Sequence, residues 1–329
     1  MRKTLKRRQA MQVLAAAGTV LGTPARAEAA YPNRPVKFVV PFPPGQAADI
    51  FARLIAERLG DLWKQQTIVD NKGGGAGIPG TESAKLAPAD GYTLLVATSG
   101  TFGVNPSLFP DLPYKPLVDF EPISLIFLVP LVIVAHPDFP ANSLAELIAL
   151  AKKDPGKYSY ASAGPGTSQH LSMELFKSKA GLDIVHVPYK GSGPAMADLL
   201  GGHIQLMMDS TASAQSAILD KRIKALGVTT ARRAPAPLDG IPSIGDTIAG
   251  YDTAGWAGLV APVHTPAEVV GKISTDVQGL LRDPMVVKSI EAKAGIAAPT
   301  TPAEFAAFIK KEMETWRAVV TATGTKPGN

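Results

Sequence analysis

A chain of 329 residues that is 46% hydrophobic has material for one large domain or two of ordinary size. Its formal charge of +5 reflects 33 Lys and Arg against 28 Asp and Glu, but six of the basic residues and none of the acidic ones precede residue 28. The absence of cysteine excludes disulfides, thiolate nucleophiles and thiolate metal sites.

The basic N-terminus belongs to a leader. Arg2, Lys3, Lys6, Arg7 and Arg8 form a basic region, Met11 to Gly22 is a short apolar stretch, and Ala25-Arg26-Ala27 fits a small-x-small cleavage site. Residues 1–27 are therefore expected to be an export signal, cut after Ala27 and leading to the periplasm. Arg7-Arg8 also suits a twin-arginine signal, which leaves the route open. Cleavage leaves 27 basic against 28 acidic residues, a charge of about −1. With no Lys/Arg stripe interleaved with aromatics, nucleic acid is excluded as a partner. The most apolar later run, Ile123 to Ala135, is interrupted by Pro130 and is too short for a membrane helix.

After the leader, Val36–Val40 reads as a buried strand, Pro41-Phe42-Pro43-Pro44-Gly45-Gln46-Ala47-Ala48-Asp49 as a turn, and Ile50 to Leu62 as a helix by its apolar spacing. Such a turn aims a helix's first N–H groups at one point above the strand end, which suits either an anion site or a plain connection. Strands are expected at 67–69, 93–97, 131–135, 158–161, 184–187, 204–208 and 224–228, and one ending at Leu259-Val260. Helices are expected at 143–153, up to Ala180, and at 194–200, 266–281, 284–294 and 302–321, the first of these capped by Ser143. The alternation predicts an α/β protein with largely parallel sheets. A second strand–turn–helix, Pro165 to Leu171, lies about 120 residues after the first. Two such turns facing one another would make a two-lobed clamp for a small ligand.

Other motifs carry less. Gly75-Ala76-Gly77-Ile78-Pro79-Gly80 satisfies G-x-G-x-x-G, but no carboxylate stands about 20 residues on to hold a ribose, so a close backbone passage is the better reading. No phosphate loop and no G-x-S-x-G elbow is present. Ser99 or Ser168 supplies the alternative reading, a periplasmic hydrolase with a loop serine. His170 lies too near Ser168 in sequence to act as its base. None of the five histidines has a partner at metal-ligand spacing, so no metal is expected. Arg53 and Lys190 offer positive charge or merely a solvated face, and Asp49 and Asp209 offer either bracing or ligand contact.

Tyr31 to Val36, Pro41 to Asp49, Asn71 to Gly80, Pro88 to Leu94, Ser162 to Leu171, Val187 to Gly191, Pro194 to Gly202 and Trp256 to Pro266 together resemble the Bug-type receptors of tripartite tricarboxylate transporters. The resemblance covers essentially the whole chain after the leader. It implies a type II periplasmic binding protein fold with two α/β lobes, 31–128 plus 228–329 and 129–227, closing on a small organic carboxylate. It further implies a monomer without cofactor or catalysis that delivers its ligand to integral-membrane transporter subunits. Carried onto this chain, the ligand-binding residues are Phe42, Pro43, Gly45, Gln46 and Asp49 in the first turn and Ala163, Gly164, Gly166, Thr167, Ser168 and His170 in the second. Thr98, Ser99, Thr101 and Asp209 complete the set. The family turn often runs Pro-Gly-Gly. Gln46 replaces the second glycine here, so it must keep φ negative, and its amide could reach the cleft.

Overall fold

The computed structural model describes residues 31–327, so the expected export signal at 1–27 lies outside the described residues. Everything below concerns the compact unit that begins at Arg34. Its elements run β1 (Val36–Val40), α1 (Ala47–Trp63), β2 (Thr67–Asn71), α2 (Ile78–Lys85), β3 (Thr93–Thr98), α3 (Asn105–Leu108), α4 (Pro116–Asp119), β4 (Phe120–Val129) and β5 (Leu131–Ala135). They continue α5 (Leu144–Lys153), β6 (Ser159–Ser162), α6 (Ser168–Ala180), β7 (Val185–Pro188), α7 (Ser192–Leu200), β8 (Leu206–Ser210), α8 (Thr211–Leu219) and β9 (Lys224–Val228). The chain closes with β10 (Gly255–Pro262), α9 (Ala267–Leu280), α10 (Pro284–Glu291), β11 (Ile296–Ala297) and α11 (Pro302–Thr323).

The strands form two sheets, ordered β11-β4-β10-β3-β1-β2 and β7-β6-β8-β5-β9. The α/β class holds, but the sheets are mixed, not largely parallel. In the first, β1 pairs in parallel with β2 and β3, whereas β10 is antiparallel to β3 and β4, and β11 to β4. In the second, β6 is parallel to β7 and β8, and β5 is antiparallel to β8 and β9. The antiparallel pairs arise where the chain changes sheets. β4 ends at Val129, β5 begins at Leu131, and only Pro130 separates them.

The sequence pattern does not predict β4 as a strand, because Pro122 and Pro130 punctuate it. Pro122 is accommodated because the register with β10 shifts between Leu259 and Val260, and a bulge is one of the few sheet positions that tolerates proline. The expected short strand ending at Leu259-Val260 is in fact eight residues, Gly255–Pro262. The helix opened by Pro194 begins two residues earlier, at Ser192, and β8 is displaced two residues from 204–208. Ser143 caps α5 as expected, accepting the Glu146 N–H.

Every residue of β5 is buried, and alternation sends its side chains into two cores. Leu131, Ile133 and Ala135 join Tyr160, Phe176 and Met208 on one face, and Val132 and Val134 join Leu199, Met207 and Ala214 on the other. The first sheet has its own core around Val39, Leu95, Phe102, Phe120, Trp256 and Phe305. Several contacts tie the sheets, among them two buried ones. Thr229, fully buried, accepts the Leu131 N–H at 2.9 Å and donates to the Thr253 carbonyl at 2.8 Å, binding the crossing strands together. The C-terminal helix α11 packs Phe305 and Ile309 on the first sheet and, farther along, Trp316 and Val319 against Leu171 of α6.

Candidate functional site

Three strand ends lead into helix N-termini that line one cavity. After β1, Gly45 adopts φ +87°, a conformation glycine takes without steric cost, and turns the chain into α1. Gln46, the N-cap, keeps φ at −78° and ψ at 159°, so the non-glycine residue is accommodated in extended backbone. Asp49 locks this turn from behind. Its carboxylate accepts from the Gly45 N–H, Arg53 Nε and Asn71 Nδ2, each at 2.9 Å, and Asn71 Nδ2 also donates to the Phe42 carbonyl at 3.0 Å.

β3 ends at Thr98, which caps the following turn of helix, Ser99–Val104. Thr98 Oγ1 accepts the Thr101 N–H, and Thr101 Oγ1 accepts the Thr98 N–H. β6 leads through Gly164 (φ +125°) and Gly166 (φ +74°) to Thr167, whose hydroxyl donates to the Gly164 carbonyl at 2.7 Å and accepts the His170 N–H that opens α6. The caps satisfy the third amide of each of these two helical segments, and the first-turn amides ahead of it have no partner within their own helix.

The residues that carry those amides line an inner cavity of about 40 Å³. Gln46, Ala47, Ala48, Thr98, Ser99 and Gly100 come from the first sheet's turns, and Thr167, Ser168, Gln169 and Ser210 from the second's. Its apolar remainder is Phe42, Phe127, Val129, Leu131, Gly255 and Trp256. Among the described residues, no Lys, Arg, Asp or Glu lines it. A negative group inside would meet the positive ends of three helical segments and neutral hydroxyl and amide donors. Gln46 Nε2 is buried and has no hydrogen-bond partner among the described residues. An outer cavity of about 310 Å³ shares Phe42 and Thr167 with the inner one and is walled by Pro43, Gly74 to Ile78, Phe109, Ala163 to Pro165 and Tyr189 to Gly191.

Of the fifteen residues predicted for the ligand, Phe42, Gln46, Thr98, Ser99, Thr167 and Ser168 line the inner cavity, and Pro43, Ala163 and Gly164 the outer. Gly45, Asp49, Thr101, Gly166, His170 and Asp209 line neither. Thr101, Gly45 and Gly166 shape the turns. His170 accepts the Gly166 N–H at Nδ1 (3.4 Å) and stacks on His186 at 4.1 Å. Burial first, then the neighbouring His186 and Lys177, push its pKa down to about 3, so it is neutral. Asp209 is fully buried beside the cavity, and its carboxylate accepts from Ser192 Oγ at 2.7 Å and the Ser210 N–H at 2.8 Å. Burial pushes its pKa up to about 6 against these bonds and one from the Gln169 side chain.

Ala47, Ala48, Gly100 and Gln169 fall inside the turns expected at the ligand without being singled out, whereas sequence reasoning missed Ser210, Gly255 and Trp256, and Phe127, Val129 and Leu131, which follow from the unrecognised β4 crossing. Arg53 is committed to Asp49 and Asn71, whereas Lys190 lines the outer cavity from an exposed position. Gly77 and Gly80 of the dinucleotide-like motif sit where an added Cβ would fall 2.7 Å from Thr101 Cγ2 and 2.6 Å from the Lys72 carbonyl, the close passage expected of them. Ser168 Oγ donates to Gln169 Oε1 at 3.3 Å. Neither it nor Ser99 bonds a histidine among the described residues. The serine–histidine contact present is Ser162 with His186 at 2.7 Å, and Ser162 is wholly buried.

The two sets of turns touch across the cavity. Ser213 Oγ donates to the Gly45 carbonyl at 3.3 Å, and a Cβ on Gly100 would stand 3.1 Å from the Gly166 carbonyl.

Two α/β sheets with a neutral, amide-lined cavity between their turns define a solute-binding protein. Comparison with known proteins names the kind. The family described as "Tripartite tricarboxylate transporter family receptor" matches residues 51–325, and the chain belongs to it. Protein BugT of Bordetella pertussis is 35% identical over 300 residues, 90% of this chain and 91% of that one. Among solved structures, "R. palustris Rpa4515 with adipate" is 33% identical with a TM-score of 0.88, covering 90% of this chain and 99% of that one. The periplasmic binding protein BugD is 34% identical with a TM-score of 0.85 over the same shares.

Proposed function

We propose that this chain is a periplasmic receptor that captures a small organic carboxylate between two lobes, 31–128 plus 228–329 and 129–227, and delivers it as a monomer to integral-membrane transporter subunits. The convergence of three helical N-termini, from both sheets, on one small cavity without charged side chains carries the reading. A carboxylate there is held by the amides of residues 47–48, 99–100 and 168–169 and the hydroxyls of Thr98, Ser99 and Ser168, so its charge is met by dipoles and not by a cation. Asp49, Thr101, His170 and Asp209 act from behind, by holding the turns. The adipate named with a solved neighbour fits this chemistry, and the periplasmic neighbour fits the leader expected at residues 1–27.

A panel of mono-, di- and tricarboxylates screened by thermal shift tests the reading. A ligand at about 100 times its Kd adds about 2.7 kcal/mol to stability, a displacement of several degrees. Indifference to every organic anion, with response to none but neutral solutes, would remove the proposal.

A further inference from the structure

Resting on that carboxylate reading, we propose that the receptor selects acids with a compact apolar body, a ring or a branched chain, over short hydroxylated acids. The inner cavity of about 40 Å³ holds a carboxylate and little more, so the rest of the ligand lies in the adjoining outer cavity of about 310 Å³. The walls there are apolar. Ile78, Phe109 and Pro43 stand on one side, and Ala163, Pro165 and the ring of Tyr189 on the other. The polar side-chain atoms of these walls are already engaged. Tyr189 Oη donates to Asp198 at 2.7 Å, and the Thr167 hydroxyl is spent on Gly164 and the His170 N–H. Lys190, the one charged side chain lining this cavity among the described residues, is exposed, and an exposed ion pair contributes little. A hydroxyl carried into this space finds few groups to replace its water, Lys190 in solvent and Gln46 Nε2 behind Gly191 at the edge of the inner cavity, whereas apolar carbon gains by burial.

Titration calorimetry on the mature protein with benzoate, cyclohexanecarboxylate, propionate, malate and citrate decides the matter. The two ring acids are expected to bind at least about tenfold more tightly than propionate or malate, since even one methylene in a fitted apolar site can discriminate by that factor. Phe109→Ala and, independently, Ile78→Ala should erase most of that margin while leaving propionate within about twofold of its original affinity. Circular dichroism checks that each variant is folded. Malate or citrate binding as tightly as the ring acids would overturn the substrate class while leaving the receptor intact. So would truncations that weaken all five acids equally. Binding of none of the five would instead strike at the carboxylate reading, and this inference would fall with it.

Discussion

At the scale of single residues, two buried titratable groups behind the cavity pull stability in opposite directions with pH. Asp209 has a folded pKa raised to about 6 from 3.8. The stability it contributes is therefore present below about pH 4 and lost as pH rises through about 6. His170, with its pKa lowered to about 3 from 6.5, contributes stability above about pH 6.5 that is lost as pH falls toward 3. Asp209→Asn keeps an oxygen for Ser192 and the Ser210 N–H but removes the first effect. Relative to the parent, the variant should lose about 3 kcal/mol on going from pH 8 to pH 4, because moving a pKa by one between the unfolded and folded states is worth about 1.36 kcal/mol. Urea unfolding of both proteins at the two pH values measures this, and parallel profiles would show that Asp209 does not titrate as described. The sequence singles out Asp209 and leaves bracing and ligand contact both open. The structure buries its carboxylate on Ser192 and the Ser210 N–H, and burial is a property of the fold that one strand's pattern does not reveal.

At the scale of elements, the strand–turn–helix units are legible because prolines, positive-φ glycines and cap residues each leave a local signature. Pro41 to Asp49 and Pro165 to His170 both carry such marks. The third unit, Thr98 into Ser99–Val104, shows in the sequence only as a polar tract, since its capping box is two threonines and not the usual Ser/Thr with Glu. β4 is hidden by its prolines, and with it go Phe127, Val129 and the antiparallel crossing. Gly100 has no local signature at all. It carries no side chain, and its importance comes from the turn of the other sheet that meets it. Its φ is outside the left-handed region, so alanine fits the backbone, but the new Cβ would press on the Gly166 carbonyl at 3.1 Å and approach Thr167 Cα at 3.6 Å. Gly100→Ala should therefore bind carboxylate about tenfold more weakly, while its unfolding free energy holds or rises by about 0.4–1 kcal/mol from the reduced freedom of the unfolded chain. A parallel loss of stability and affinity would instead indicate local misfolding.

At the scale of the whole molecule, the sheets are joined by a buried crossing with an apolar cluster and by a set of single hydrogen bonds between turns and helices. The firm joins are the Thr229 crossing and the apolar cluster of Trp316, Val319, Leu171, Val104 and Leu108. Away from that crossing the links are the Ser213–Gly45 hydrogen bond, the bonds of Thr211 and Gln215 to the Ala294 and Ala292 carbonyls at 3.0 Å each, and the packing of glycine turns, including Gly191, where a Cβ would lie 3.2 Å from Pro43. Each such neutral hydrogen bond contributes about 0.5–1.5 kcal/mol, so a handful of them is small enough for opening about the Thr229 crossing. A ligand that contacts turns of both sheets at once binds the closed arrangement better and shifts the population toward it, by no more than that difference in affinity. Small-angle X-ray scattering should then show the radius of gyration falling as a binding carboxylate is added to saturation. In Gly100→Ala the same titration should produce a smaller fall, because the inserted methyl resists the last few tenths of an ångström of approach. A radius that does not change with ligand in the parent protein would mean that capture occurs in a clamp already shut, with the glycine turns serving entry and not closure.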